Sequence, residues 1–232
     1  MNSAFCFSQN FEIINQNEDY QSDKKVKEFY FIHQDLDESA GIKVADMKFY
    51  ARNKGNNLSL IPVFYSLWEK ANALGANAFF INEIEYDAEE EKYNITVELS
   101  FLNEEEIDEN ISFYPQNLIG IIGNVNTSKK EKGKSFKLNK EKLTIYPFEY
   151  ITYQNNIGEK VNISVGGIMG ASTTIKGEEN KLPLFFSIGG ASINPFVHTS
   201  GGGGGGIAFS NGSISALDMN LGLFLMEILK DE

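Results

Sequence analysis

The spacing of apolar residues predicts four strands and one helix in the first hundred residues, and a succession of strands after them. Residues 27–34 (KEFYFIHQ) form an aromatic-dense strand. Residues 41–50 (GIKVADMKFY) form a second, with Ile42, Val44 and Asp46 on one face. A helix follows. Ser59 suits its N-cap and Pro62 its first turn, while Ile61, Tyr65, Trp68 and Ala71 fall at helical spacing, flanked by Phe64 and Leu67. Gly75 takes the position just past its end. Residues 77–86 make an apolar strand and the acidic run 87–91 makes a turn. Residues 93–101 then alternate, with Tyr93, Ile95, Val97, Leu99 and Phe101 on one face. The order β-β-α-β-β predicts a small sheet with one helix packed across it.

Near residue 105 the pattern changes. The acidic stretch 103–110 (NEEEIDEN) reads as an exposed linker and 127–134 (TSKKEKGK) as a charged loop. Strands are predicted in 117–125, 142–153, 161–175 and 182–193. Residues 216–228 alternate Leu217, Met219, Leu221, Leu223 and Leu225 against Asp218, Asn220 and Gly222, which favours a strand over a helix, although 223–229 taken alone also suit a helix. Pro147 places residues 142–153 at an edge or a bend. Glycines inside these patterns, at 166–167, 170, 189–190 and 222, mark bends, bulges or close approaches. The expected fold class is α+β: a β-β-α-β-β domain over residues 25–103, then a glycine-rich antiparallel β domain over 111–232.

The chain begins with a short apolar run, Ala4 to Phe7, and Cys6-Phe7-Ser8 has the small–x–small pattern of a signal-peptidase site. Residues 1–8 read as the remnant of a secretion signal and 9–24 as a flexible N-terminal segment, so an extracytoplasmic location is expected: periplasm, outer membrane or secreted. Cys6 is the one cysteine, and cleavage after Ser8 would remove it, leaving no disulfide, thiolate metal site or cysteine nucleophile. No run of about 18 apolar residues occurs, so no transmembrane helix is expected. The formal charge is −12 and Arg52 is the one arginine. That balance disfavours nucleic acid and anionic membrane surfaces as partners.

The phrase running from Trp68 through Leu74-Gly75-Ala76-Asn77-Ala78, a helix ending Ala-x-x-Leu-Gly-Ala-Asn-Ala and passing straight into a strand, resembles small bacterial envelope domains. It is similar to those of the Rcs stress-sensor lipoprotein type and to YbjQ-like domains. The resemblance implies an α+β envelope domain over about 70 residues. It carries no functional residue across, because this chain lacks the cysteines of the stress-sensor lipoproteins.

Candidate chemistry is sparse. The run 201–206 is six glycines, but a strand-like IAFS follows it and no lysine is near, so it lacks the context of a phosphate loop. His33 and His198 sit in no metal-ligand pattern, and no metal or cofactor is expected. The acidic runs 87–91 and 104–109 lack calcium-loop spacing and read as solvated turns. Tyr146, Phe148 and Tyr150 share one face of a strand, with Leu143 and Ile145 on the other, and they are the candidate ligand-binding residues for a sugar or peptide; core packing between two sheet faces is the alternative. The expected function is a non-enzymatic extracytoplasmic binding or structural protein, with an envelope protein, peptide or glycan as partner. The alternatives are an outer-membrane-associated β protein and a carboxylate-dependent enzyme acting on glycans. The second half offers about six or seven strands, fewer than the eight of the smallest single-chain barrels.

Overall fold

A computed structural model describes residues 11–20, 26–52, 59–127, 131–166, 170–189 and 214–230. The small–x–small pattern at 6–8, His198 and the glycine run 201–206 lie outside the described residues. The protein is α+β and divides into two compact units, Met1–Phe113 and Tyr114–Glu232.

The first unit contains strands β1 (Phe11–Gln16), β2 (Tyr30–Phe31) and β3 (Ile42–Arg52), helix α1 (Leu60–Ala73), strands β4 (Ala78–Asp87) and β5 (Lys92–Phe101), and helix α2 (Glu104–Ser112). The strands form one sheet in the order β1-β3-β5-β4-β2, with only β2 and β4 parallel. Central β5 follows its sequence pattern: Tyr93, Ile95, Val97 and Leu99 are buried, while Asn94, Thr96 and Glu98 face outward. α1 buries Leu60, Phe64, Leu67 and Ala71. The Phe64 ring meets Phe79 edge-on at 5.8 Å, and Phe29 stacks on Phe79 at 4.6 Å. Gly75, at φ 80°, reverses the chain after α1 as expected.

Four expectations for this unit are corrected. Residues 9–24 were expected to be a flexible segment, yet 11–16 form edge strand β1. The strand expected at 27–34 shrinks to the two residues of β2. Beyond Phe31 the main chain pairs with the Asn110 side chain, which accepts from His33 N at 2.8 Å and donates to the Phe31 carbonyl at 2.9 Å. In β3 a bulge inserts Val44 between Lys43 and Ala45. The side-chain parity flips there, so Ala45, Met47, Phe49 and Ala51 face the core while Ile42 is exposed. Residues 103–110, expected as a linker, begin α2. The Asn103 side chain accepts from Glu105 N and Glu106 N, and Glu106 Oε2 accepts from Asn103 N at 2.7 Å. That reciprocal pair is a capping box.

The second unit contains β6 (Leu118–Ile122), β7 (Lys134–Leu138), β8 (Glu141–Ile145), β9 (Tyr150–Gln154), β10 (Lys160–Val165), β11 (Ala171–Lys176), β12 (Leu184–Ile188), β13 (Ile214–Leu217) and α3 (Met219–Ile228). Two four-stranded sheets, ordered β11-β10-β7-β8 and β13-β12-β6-β9, share one core. Phe136, Ile145, Val161 and Ile163 from the first meet Ile119, Ile121, Phe186 and Ile188 from the second. The unit is a two-sheet sandwich whose inward positions alternate with outward ones.

The strand pairings of this half are antiparallel, as expected, with one exception: β6 and β12 run parallel, with Phe185 registered on Gly120. One expectation is corrected. Residues 216–228 were expected to be one strand; the strand ends at Leu217 and α3 begins after Asp218. The Asp218 side chain accepts from Asn220 N at 2.9 Å and Leu221 N at 3.1 Å. Leu221, Phe224, Leu225 and Ile228 then fall at i, i+3, i+4 and i+7 and are buried. Phe185 points away from the sandwich core toward α3. A Cβ on Gly120 would lie 2.4 Å from its ring and one on Gly222 would lie 2.1 Å from it, so both glycines are there for close approach. No helix among the described residues is long and apolar enough to cross a membrane.

Candidate functional site

Two bulges lie close together in the first sheet. One inserts Val44 in β3; the other sits between Ile13 and Asn15 in β1, next to Asp46. Bulges re-aim side chains and concentrate near functional sites. Here the β3 bulge places Lys43 so that its Nζ reaches back to Asp46 Oδ1 at 2.8 Å and across to Glu98 Oε2 at 2.9 Å. Asp46 and Glu98 are cross-strand partners, so two carboxylates stand opposite each other with one ammonium between them. Like charges directly opposite repel, and Lys43 relieves that repulsion. Ser100 Oγ donates to Glu98 Oε1 at 3.2 Å.

Beside this triad, the end of β1 and the bulge of β3 enclose a half-open cleft of about 330 Å³, lined by Asn15, Gln16, Asn17, Glu18, Lys43, Val44 and Ala45. Asn17 shapes its rim. Its backbone N donates to the Val44 carbonyl at 2.9 Å, its Nδ2 donates to the Lys43 carbonyl at 3.0 Å, and its Oδ1 accepts from Asp19 N. The hydrogen bond to Asp46 is the main cause that holds the Lys43 ammonium above the ordinary lysine range; burial opposes it, and the Glu98 hydrogen bond adds to it. Lys43 therefore stays cationic at any physiological pH. It can donate hydrogen bonds there.

No protein-family model matches this chain, and no curated protein and no solved structure is similar to it.

The candidate ligand residues from the sequence do not form one platform. Pro147 ends β8 at Ile145 and the chain turns before β9 begins at Tyr150, so Tyr146, Phe148 and Tyr150 do not share a strand face. Tyr146 is exposed in the turn, with its N–H donating to Glu149 Oε2 at 3.0 Å. Phe148, at φ 63°, is 2% exposed and belongs to the interior. Tyr150 opens β9, half-buried.

The remaining candidates have local structural contacts. The His33 ring stacks on Phe113 at 5.8 Å and its Nδ1 accepts from Asp35 N. In the run 87–91, Asp87 Oδ1 accepts from Glu89 N and Glu90 N at 3.0 Å, closing the β4–β5 turn. In the run 104–109, Glu106 caps α2 and also accepts from Gly41 N at 2.9 Å. Among the described residues, no group of three or more His, Cys, Asp or Glu could hold a metal ion. The residues that do converge, Asn15 to Glu18 with Lys43, Asp46 and Glu98, were not singled out by sequence reasoning. Their local signal was short: apolar–polar alternation at 11–13, and a lysine three positions before an aspartate.

Proposed function

We propose that this chain is a non-enzymatic binding protein working outside the cytoplasm, in the cell envelope or secreted, and that the cleft at the end of β1, beside the β3 bulge, takes a small, polar, uncharged ligand such as a short glycan. The observation that carries this reading is the Lys43–Asp46–Glu98 triad, in which the ammonium satisfies both carboxylates. A site of fixed charges and side-chain amides is built to orient hydrogen bonds, and amides supply both donors and acceptors to hydroxyl groups. The small–x–small pattern at 6–8 supports the location.

The test is amide chemical-shift mapping of ¹⁵N-labelled protein titrated with short neutral oligosaccharides, with product analysis on the same samples. Saturable shifts confined to residues 15–18 and 43–46, with the oligosaccharide recovered intact, are expected. Hydrolysis or transfer would overturn the non-enzymatic reading, and shifts elsewhere would overturn the site. Cell fractionation with N-terminal sequencing tests the location: a mature start at Gln9 is expected, and an intact Met1 in the cytosol would refute it.

A further inference from the structure

The charge of this protein is divided unevenly between its two units. Met1–Phe113 holds 22 acidic and 9 basic residues, whereas Tyr114–Glu232 holds 10 acidic and 11 basic. Four of the eleven lysines of the second unit share one surface. On the outward face of sheet β11-β10-β7-β8, Lys137 is registered directly opposite Lys142, and Lys160 directly opposite Lys176. All four are exposed, and among the described residues none makes an ion pair with a carboxylate. The one carboxylate on these strands, Glu141, is registered with the inward-facing Leu138 and not on this face. Serine, threonine and asparagine occupy the other outward positions.

Like charges directly opposite on neighbouring strands destabilise a sheet. The first unit places Lys43 between its opposed carboxylates; this face has two opposed lysine pairs and no counter-charge. Folding does not account for that arrangement, whereas an anionic ligand would.

Register gives the ligand's dimensions. Lys137 lies level with Ser164 on β10, four residues along from Lys160. At about 3.3 Å per residue and 4.8 Å per strand, the two lysine pairs are roughly 16 Å apart. One small anion cannot touch both pairs; an extended chain with repeated negative charges can. The face carries no aromatic side chain on which bases could stack and no arginine, features that single-stranded nucleic-acid sites use. It also lacks the apolar anchors of an interface between folded proteins. Hydroxyl and amide side chains between the cations suit a hydroxyl-rich polymer.

We infer that the outer face of β7, β8, β10 and β11 is a binding surface for an acidic polysaccharide, separate from the cleft of the first unit and independent of what that cleft binds.

The experiment is isothermal titration of the full chain with polygalacturonate at 20, 100 and 300 mM salt, with single-stranded DNA of equal charge as the comparison and light scattering of the protein alone. The expected result is that wild-type protein binds polygalacturonate at low salt and that binding weakens steeply as salt rises. Lys137→Ser/Lys142→Ser and Lys160→Ser/Lys176→Ser each weaken binding at 20 mM salt by about ten-fold and flatten its salt dependence, by the counterion release that governs polyanion binding. Lys48→Ser/Lys230→Ser, with the same charge change off this face, leaves binding within about two-fold. Circular dichroism melts should show the face variants folded, with midpoints equal to or above wild type because the opposed pairs are relieved. The inference is overturned by no binding at 20 mM salt, by equal losses in face and control variants, or by tighter binding of DNA. Self-association at low salt that the face variants abolish would assign the face to a second copy of the chain and overturn it equally.

Discussion

Asn77, Asn110 and Asn117 each turn a side-chain amide onto main-chain groups at or beyond the end of a strand. Asn77 donates to the Leu102 carbonyl and accepts from Leu102 N, both at 2.7 Å. Asn117 does the same to Glu178, at 2.8 and 2.9 Å. An amide matches a peptide group donor for acceptor, so one residue replaces one rung of a ladder. Removing it leaves two main-chain groups unsatisfied, each at a cost of about 1–3 kcal/mol where water cannot reach. Asn77→Ala and Asn110→Ala are each expected to lower the unfolding free energy by about 2 kcal/mol, read from urea melts. Asn77→Asp, which sets a buried carboxylate oxygen against the Leu102 carbonyl, should cost at least as much as Asn77→Ala at neutral pH.

Tyr153 and Glu159 give a residue-scale pH dependence. The tyrosine hydroxyl donates to Glu159 Oε1 at 2.6 Å. That bond, with those from Asn156 N and Nδ2, holds the Glu159 carboxyl below its ordinary range, and the same bond raises the Tyr153 phenol. A lowered carboxylate stabilises the fold above its unfolded-state pKa and stops doing so as pH falls through the folded value. A raised phenol stabilises below its unfolded-state pKa and stops as pH rises through the folded value. The stability difference between wild type and Tyr153→Phe should therefore be flat through neutral pH. It should shrink below about pH 4 and above about pH 10, as denaturant melts across that range would show.

At the scale of elements, helix caps separate what the sequence could reveal from what it could not. Ser59 was legible as an N-cap and has the expected extended backbone, but its side chain makes no capping bond. Asp218 was assigned to the interior of a strand, yet its carboxylate caps α3 twice. Asp218→Ala should cost about 1 kcal/mol and Ser59→Ala distinctly less, because only the first loses a hydrogen bond. The misassignment has a physical cause. In a nearly all-apolar stretch such as 219–228, alternation and helical spacing are both satisfied by chance, and the polar residue that starts the helix decides between them. The β5 face, α1 and Gly75 could be read because each pattern is local. The parity of β3 could not, since the Val44 bulge is set by pairing with β5, and the cleft built on that bulge was hidden with it. The capping box of α2 was legible at Asn103 and Glu106, but was obscured by four neighbouring acids that resemble a solvated linker.

At the scale of the whole molecule, the excess of 13 negative charges in Met1–Phe113 should make that unit sensitive to ionic strength. Self-repulsion among unpaired surface carboxylates opposes compaction, and added salt screens it beyond a Debye length of about 10 Å at 0.1 M. Trp68, the one tryptophan, reports on this unit, with its ring stacked against Phe29 at 6.3 Å. Its fluorescence midpoint in thermal unfolding should rise between 10 and 200 mM sodium chloride. An unchanged or falling midpoint would mean that the carboxylates are already neutralised in pairs, as Asp46 and Glu98 are by Lys43.

The parallel pairing of β6 with β12 also bears on synthesis. Ile119 meets Leu184, which is 65 residues later in the chain. At about 5–20 residues per second, a ribosome takes roughly 3–13 s to make that interval. During that time the first unit has emerged in full, whereas β6 has left the tunnel with its apolar Ile121 and Ile122 and no partner strand. Phe185 arrives with β12, and α3, whose Gly222 lies against its ring, is made after both. Emergence of the chain thus dictates the order: the second unit can lock α3 only after β12 has emerged, and an attendant that shields β6 until then would act on this half of the nascent chain.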